Sequence, residues 1–236
     1  MKSWVRAKHD SWGAANLSLN PSRYWLAIGN NLPSGSLVLD AGAGDQRNRV
    51  HFGHCTYESA DFQKLNKRYT ESTSSIPVEG ARYDAVVFTQ VMEHLPEPAR
   101  VVDELFRVRK PGGRLFYSAP LVFHEHEVPY DFMRYTQFGV RSILERAGFR
   151  VPEVKRLEGY LGTVSYEFRR ISKSLPFQPN AYGGGVAGFI LACCFTSVRL
   201  VARPLAWIAA RADRRHRWLE SGYPINYFGV FEKLDA

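Results

Sequence analysis

Two stretches of this 236-residue chain bring reactive side-chain types together at close spacing. The first is Asp40-Ala41-Gly42-Ala43-Gly44, a D-x-G-x-G turn directly after the apolar run Leu37–Leu39. Gly42 and Gly44 permit positive φ and close approach of backbone to a ligand. A carboxylate two residues before the first glycine suits a ligand bearing a cationic amino group. The second stretch runs from Phe123 to Thr136 and contains His124, His126, Asp131, Arg134 and Tyr135. Histidine can act as a general base near neutral pH. We rank His126 first for that role, with His124, His94 and Tyr135 behind it. Asp131 and Arg134 could bind substrate, the guanidinium taking an anionic group. They could equally pair at i, i+3 and cap a helix starting near Thr136. Zinc needs more ligands than a His-x-His pair offers, so no metal is expected.

These residues need a frame. Ser36–Asp40, Thr56–Phe62, Arg68–Thr73, Ala85–Phe88, Arg114–Ala119, Val151–Leu157 and Tyr227–Glu232 read as strands. Apolar residues at Val101, Val102, Leu105 and Val108 have helical spacing over Pro98–Val108, and Lys110-Pro111-Gly112-Gly113 stops that helix. A further helix is predicted over Phe138–Ala147, stopped at Gly148, and a helical preamble over Trp4–Leu32. Alternating strands and helices predict an α/β fold with a mostly parallel sheet covered on both faces. In such sheets ligands bind beyond the carboxyl ends of the strands. The glycine turn lies there, and so does Asp61, about 20 residues further on, where an acid can accept hydrogen bonds from ribose hydroxyls. The bend Thr89–Leu95 shares that edge. A nicotinamide- or flavin-binding turn would want a third glycine where this chain has Arg47, which disfavours an oxidoreductase.

The segments VLDAGAG (38–44), FTQVMEHLPEP (88–98) and VRKPGGRLFYSAP (108–120), in this order and spacing, resemble the class I S-adenosylmethionine-dependent methyltransferases, most closely the type 11 group. The resemblance covers Leu37 to Val151. It implies a Rossmann-like seven-stranded sheet with an antiparallel last strand, and S-adenosylmethionine as cofactor. It implies that Asp40, Ala41, Gly42, Ala43 and Gly44 contact the methionine part. Asp61 would then hold the ribose, with Phe62 near the adenine, and Gln90, Val91 and His94 would line the wall near the sulfonium. Ser72 stands where related proteins often carry an acid for the adenine amine. The run H-E-x-P-Y-D-F-x-R-Y-T (126–136) resembles bacterial methyltransferases associated with cell-surface saccharides. The function implied is O-methylation of a small-molecule, saccharide or lipid-linked acceptor. The alternative is a catalytically silent domain of the same fold that docks on a membrane or partner.

The formal charge is +8, and Thr163–Ala236 supplies +5 of it, with ten Lys/Arg against five Asp/Glu. Along a single domain the expected parts are a preamble (1–35), a cofactor-binding core (36–159), an insertion (160–224) and a last strand (225–236). The insertion contains thirteen uncharged residues, Val186–Val198, then Leu205–Ala210 flanked by Arg199, Arg203 and Arg211, which with Arg214 or Arg215 could share one helical face. Thirteen residues fall short of the roughly 20 that a membrane span needs. With Trp207 and Trp218 the pattern suits a helix lying on an anionic membrane surface. A buried hairpin, a lid and a dimer interface are the competing readings. Nucleic acid is not an expected partner, because the basic residues alternate with aliphatic ones. Cys55, Cys193 and Cys194 form no disulfide or zinc pattern, and residues 1–20 hold no apolar run. Both features point to a cytoplasmic protein, peripheral at the inner face of a membrane if the helix docks there.

Overall fold

The computed structural model describes residues 29–60, 76–220 and 222–233. They divide into two compact units, one formed by residues up to Leu157 together with Ile225 onward, the other by Glu158–Pro224. The preamble up to residue 28, the strand expected over Arg68–Thr73, and the candidates Asp61, Phe62 and Ser72 lie outside the described residues.

The first unit is an α/β layer built on seven strands: β1 (Leu37–Ala41), β2 (Thr56–Ala60), β3 (Tyr83–Thr89), β4 (Arg109–Pro120), β5 (Phe149–Arg150), β6 (Lys155–Arg156) and β7 (Asn226–Lys233). The order is β2-β1-β3-β4-β7-β5, with β6 also paired to β7. β1 to β4 run parallel and β7 runs antiparallel to β4, as the resemblance implied. Leu39, Val86, Val87 and Leu115 are buried in the central strands. Such strands carry continuous rather than alternating apolar sequence because both faces are covered.

Helix α1 (Pro98–Val108) has Pro98 in its first turn, where a missing N–H costs nothing, and buries Val101, Val102, Leu105 and Val108 against the sheet. Helix α2 (Gln137–Arg146) is capped by Thr136, whose hydroxyl accepts from the Gly139 N–H. Gly148, at φ +94°, ends the turn that follows.

Two differences from the expected strands have local causes. β4 begins at Arg109 rather than Arg114, because the Lys110–Gly113 turn is taken up as a register shift against β3 between Tyr83 and Ala85. The single strand expected over Val151–Leu157 is instead two short pieces, β5 and β6, on the far edge of β7. Pro152 lies between them and has no N–H to give the ladder.

The second unit contains helix α3 (Tyr160–Ser174), a one-turn helix at Pro179–Tyr182, and the 31-residue helix α4 (Gly185–Arg215). α3 and α4 are joined by the bond from Ser165 Oγ to the Ala206 carbonyl (2.7 Å) and by the Gly159 N–H donating to Asp213 (3.2 Å).

Candidate active site

β1, β3 and β4 end at one edge of the sheet, and each delivers one part of the site there. β1 ends in the glycine turn. Asp40 and Ala41 close the strand fully buried, and the chain then turns through Gly42 (φ +87°) and Gly44 (φ +49°). A Cβ on Gly42 would lie 2.2 Å from Cγ2 of Val91, whereas one on Gly44 would meet nothing within 4 Å. Gly42 is thus fixed by contact and conformation, Gly44 by conformation alone. Ala43 is buried between them.

The Asp40 carboxylate is 1% exposed. Its Oδ2 accepts from the Tyr57 hydroxyl and from Asn48 Nδ2 (3.1 Å), while Oδ1 is buried without a hydrogen-bond partner among the described residues. Burial pushes its pKa up, against the smaller opposing effect of the Tyr57 and Asn48 bonds. A buried carboxylate oxygen with a vacant acceptor position calls for a donor, preferably a cationic one. An α-ammonium group fits, and so does a ligand backbone laid against Gly42. The residues present therefore suit the methionine end of S-adenosylmethionine.

β3 ends in a bend that begins with Gln90 at φ +54°, an unusual conformation for a residue with a side chain. Gln90 Nε2 donates to Ser118 Oγ and to Asn226 Oδ1, each at 3.2 Å, which ties the bend to β4 and β7. Val91 packs over Gly42, and one turn of 3-10 helix (Met92–His94) follows.

β4 delivers the histidine segment. His94 Nδ1 faces the Tyr130 carbonyl at 2.6 Å. A carbonyl only accepts, so Nδ1 carries a proton, and Nε2 faces Glu93 Oε1 (3.8 Å) and Glu127 Oε2 (3.9 Å). His126 stands edge-on to His94 with ring centroids 4.6 Å apart. Its Nδ1 faces Asp131 Oδ2 and the His124 carbonyl, both at 3.2 Å, so here too the proton is assigned to Nδ1 and Nε2 is left as the basic atom. The Asp131 carboxylate also accepts from the His126 N–H (3.0 Å) and from both terminal nitrogens of Arg134 (2.5 and 2.7 Å). Arg134 holds it far below the ordinary carboxylate range, so it stays ionised throughout the useful pH range.

Asp131 and Arg134 do pair at i, i+3, but Thr136 caps the helix and Asp131 is spent on orienting His126. Arg134, which also reaches the His124 carbonyl (3.2 Å), is engaged with the protein itself. His124 stacks on Phe123 (4.5 Å) and lies further from His126 (6.2 Å between ring centroids) than His94 does. The Tyr135 hydroxyl donates to Met133 Sδ (2.8 Å), and burial, with the Glu93 carboxyl as the lesser cause, pushes its pKa up to about 12. It remains a phenol at neutral pH.

Glu93 is the residue that sequence reasoning passed over. It is fully buried, and among the described residues neither carboxylate oxygen has a side-chain hydrogen-bond partner. Burial pushes its pKa up to about 7. Its adjacency to His94 at the end of a buried strand was the one available signal. Donor atoms of Glu93, His94 and His126 lie within 4.8 Å of one another. The expectation of no metal rested on His124 and His126 acting as a pair; the structure groups His126 with Glu93 and His94 instead, a three-donor set that the spacing did not reveal.

The raised pKa has a consequence for stability. A carboxyl that is harder to ionise folded than unfolded stabilises the fold fully below its unfolded pKa, near 4.5, and that contribution is lost as pH rises through about 7. Glu93→Gln should therefore match the parent in urea unfolding at pH 4 and exceed it by up to about 3 kcal/mol at pH 8. An equal difference at both pH values would show that the carboxyl does not titrate there.

The family described as Methyltransferase domain matches residues 16–154 of this chain. The ubiquinone biosynthesis O-methyltransferase of Pseudomonas fluorescens is 30% identical over 119 residues, covering 42% of this chain and 51% of that protein. The chain spans about half the length of the curated relatives it matches. Among solved structures, phosphoethanolamine N-methyltransferase 2 of Haemonchus contortus, in complex with phosphomonomethylethanolamine and S-adenosylhomocysteine, is similar with a TM-score of 0.51 at 16% identity, over 92% of this chain and 53% of that one. A (4+2)-cyclase is similar with a TM-score of 0.52 at 15% identity, over 91% and 82%. At such identities the likeness is one of fold, and the two solved proteins differ in the reactions their names state.

Proposed function

The chain belongs to the methyltransferase-domain family, and from that premise we propose that it transfers a methyl group from S-adenosylmethionine to an oxygen of a small-molecule, saccharide or lipid-linked acceptor. Bound at the glycine turn, the cofactor supplies an electrophilic methyl on a sulfonium. Asp40 Oδ1 would accept a hydrogen bond from the ammonium group of its methionine end, and the turn through Gly42 would hold that end. Gln90 and Val91 set the bend beside that turn. His126 takes the proton from the acceptor hydroxyl at Nε2, and Asp131 with the His124 carbonyl keeps the other ring proton on Nδ1. Asp131 and Arg134 thus act as positioning residues. Aligning the two reactants for in-line attack supplies much of the rate, and the base removes the proton as the new C–O bond forms.

The observation that carries this reading is the Asp131–His126 contact at 3.2 Å next to His94, on the edge where the glycine turn also lies. The name of the Pseudomonas fluorescens relative supports oxygen as the acceptor atom. Incubating the protein with methyl-labelled S-adenosylmethionine and pools of catechols, saccharides and lipid extracts tests it. Label should enter hydroxyl-bearing acceptors, and incorporation into amines alone would overturn the oxygen assignment.

A second reading follows from the Glu93–His94–His126 donor set: a divalent cation seated there would hold the acceptor oxygen as its alkoxide or phenolate. Thermal shift with Mg²⁺, Mn²⁺ and Zn²⁺ separates the two. Stabilisation by an ion that Glu93→Gln abolishes favours the cation, and no shift with any of the three favours the free base.

A further inference from the structure

Helix α4 buries the wrong side chains for a helix surrounded by water. Its buried residues are small, namely Gly188, Ala192, Ala202, Ala206, Ala209 and Ala210, plus Asp213. Gly188 and Ala192 are four apart, Ala202, Ala206, Ala209 or Ala210, and Asp213 follow one another at three or four, and fourteen positions (nearly four whole turns) separate Gly188 from Ala202 and Ala192 from Ala206, which places them all on one stripe. That stripe receives α3 through Ser165 and Gly159. The large apolar residues lie on the other side: Phe189 is 61% exposed, Ile190 55%, Leu200 71%, Val201 55%, Trp207 63% and Ile208 54%. A water-soluble helix turns its large side chains inward and its polar ones outward. Small residues in the helix–helix seam with large apolar ones facing out is the arrangement of helices solvated by lipid. Patches of exposed apolar surface this extensive mark interaction sites.

Charge selects the occupant. Between Val186 and Ala210 the charged residues are Arg199 and Arg203. Arg199 is occupied: it donates to the Leu175 carbonyl and sits 3.6 Å from the centre of the Phe177 ring. It is thus not on a common exposed face with Arg203 and Arg211, contrary to the sequence expectation. Beyond the apolar stretch come Arg211, Arg214 and Arg215, all exposed, and Arg217, with the acid Asp213 buried. A second copy packed parallel along this face would bring the same arginines towards each other, and an antiparallel one would leave them without an acidic partner from α4, whereas an anionic headgroup layer neutralises them at roughly 1 kcal/mol per residue.

By length and composition α4 could also cross a bilayer. α3 argues against that pose. It lies along the seam side of α4 and carries Glu167, Arg169, Arg170 and Lys173, which a spanning pose would draw into hydrocarbon. Lying in the interface, α4 submerges only its outward face and leaves α3 on the water side.

We propose that α4 docks this protein flat on an anionic phospholipid membrane, with Phe189, Ile190, Leu200, Trp207 and Ile208 submerged and Arg203, Arg211, Arg214 and Arg215 among the headgroups. The test is flotation of the purified full chain with vesicles of phosphatidylcholine alone and of phosphatidylcholine mixed with phosphatidylglycerol. The parent should float with the mixed vesicles and less with the neutral ones. Phe189→Ser/Trp207→Ser/Ile208→Ser should lower partitioning by about tenfold or more. Arg211→Gln/Arg214→Gln/Arg215→Gln should erase the preference for the anionic lipid. All six side chains point outward, so unchanged helical circular dichroism verifies the fold of both variants. A parent that floats with neither vesicle, or an apolar variant that floats like the parent, overturns the proposal. So does a parent dimer that the apolar variant dissociates without any vesicle binding, which would assign the face to a second copy. Resistance to alkaline carbonate extraction from cells would assign a spanning pose instead.

Discussion

Gly42→Ala should weaken binding of S-adenosylmethionine by about 30-fold or more, combining a forced left-handed alanine with overpacking against Val91. The new methyl has nowhere to go, since its position is 2.2 Å from Val91 Cγ2 and 2.9 Å from Cγ1. Either the turn moves away from the cofactor or Val91 is driven off its place on the bend. Gly44→Ala is the built-in comparison. It too has positive φ, but its Cβ meets nothing within 4 Å, so only the backbone cost of about 1–2 kcal/mol applies and binding should fall by about fivefold to 30-fold. Adding Val91→Ala to Gly42→Ala should recover part of the loss, because the two side chains compete for one volume and their effects cannot be additive. Isothermal titration of the three variants decides it. Equal losses at Gly42 and Gly44, with no recovery in the double variant, would mean that Val91 does not back the turn.

His126→Asn should lower kcat by about 10²–10⁴ while leaving the affinity for S-adenosylmethionine unchanged. Asparagine keeps a polar side chain of similar reach but offers no basic nitrogen to the acceptor. Asp131→Asn should give a smaller loss in kcat, because its amide can no longer hold the His126 proton on Nδ1 as a carboxylate does, and because Arg134 loses its partner. The variants are told apart by the size of the loss in kcat at unchanged cofactor affinity, with the pair His126→Asn/Asp131→Asn no slower than His126→Asn alone, because Asp131 acts through His126. A His126→Asn enzyme with parent kcat would remove the base from this residue.

The fold was largely legible because its strands advertise themselves. Leu37–Leu39 and Ala85–Phe88 are unbroken apolar runs, the mark of strands buried on both faces, and Pro98–Val108 repeats at helical spacing up to a Pro-Gly-Gly stop. The sixth strand was misread as one piece because Pro152 removes a ladder donor only where the neighbouring strand needs it, and the pairing with β7 is not written in local sequence. At the site, the glycine turn was legible because its demands are local. The grouping of His126 with His94 and Glu93 was not, since 32 positions separate His126 from His94 and the sheet alone brings them to one edge. Glu93 was invisible for a further reason: a glutamate after a strand reads as exposed, and its full burial follows from the packing of the Met92–His94 turn beneath the segment whose Phe132 N–H donates to the Glu93 carbonyl (2.9 Å).

α4 reversed its expected reading in detail while keeping its character. Sequence placed arginines on a common face, and packing moved Arg199 into the contact with Phe177 and left the large apolar residues outside. Periodicity identifies a stripe of small residues but does not say whether the stripe or its opposite faces a neighbouring helix.

Calorimetric titration of the purified chain with S-adenosylmethionine and S-adenosylhomocysteine, with NADH as the control, tests the central claim most directly. Saturable binding of both sulfur ligands near one per chain, and none of NADH, is the predicted result. Binding of NADH, or of neither sulfur ligand, would contradict it.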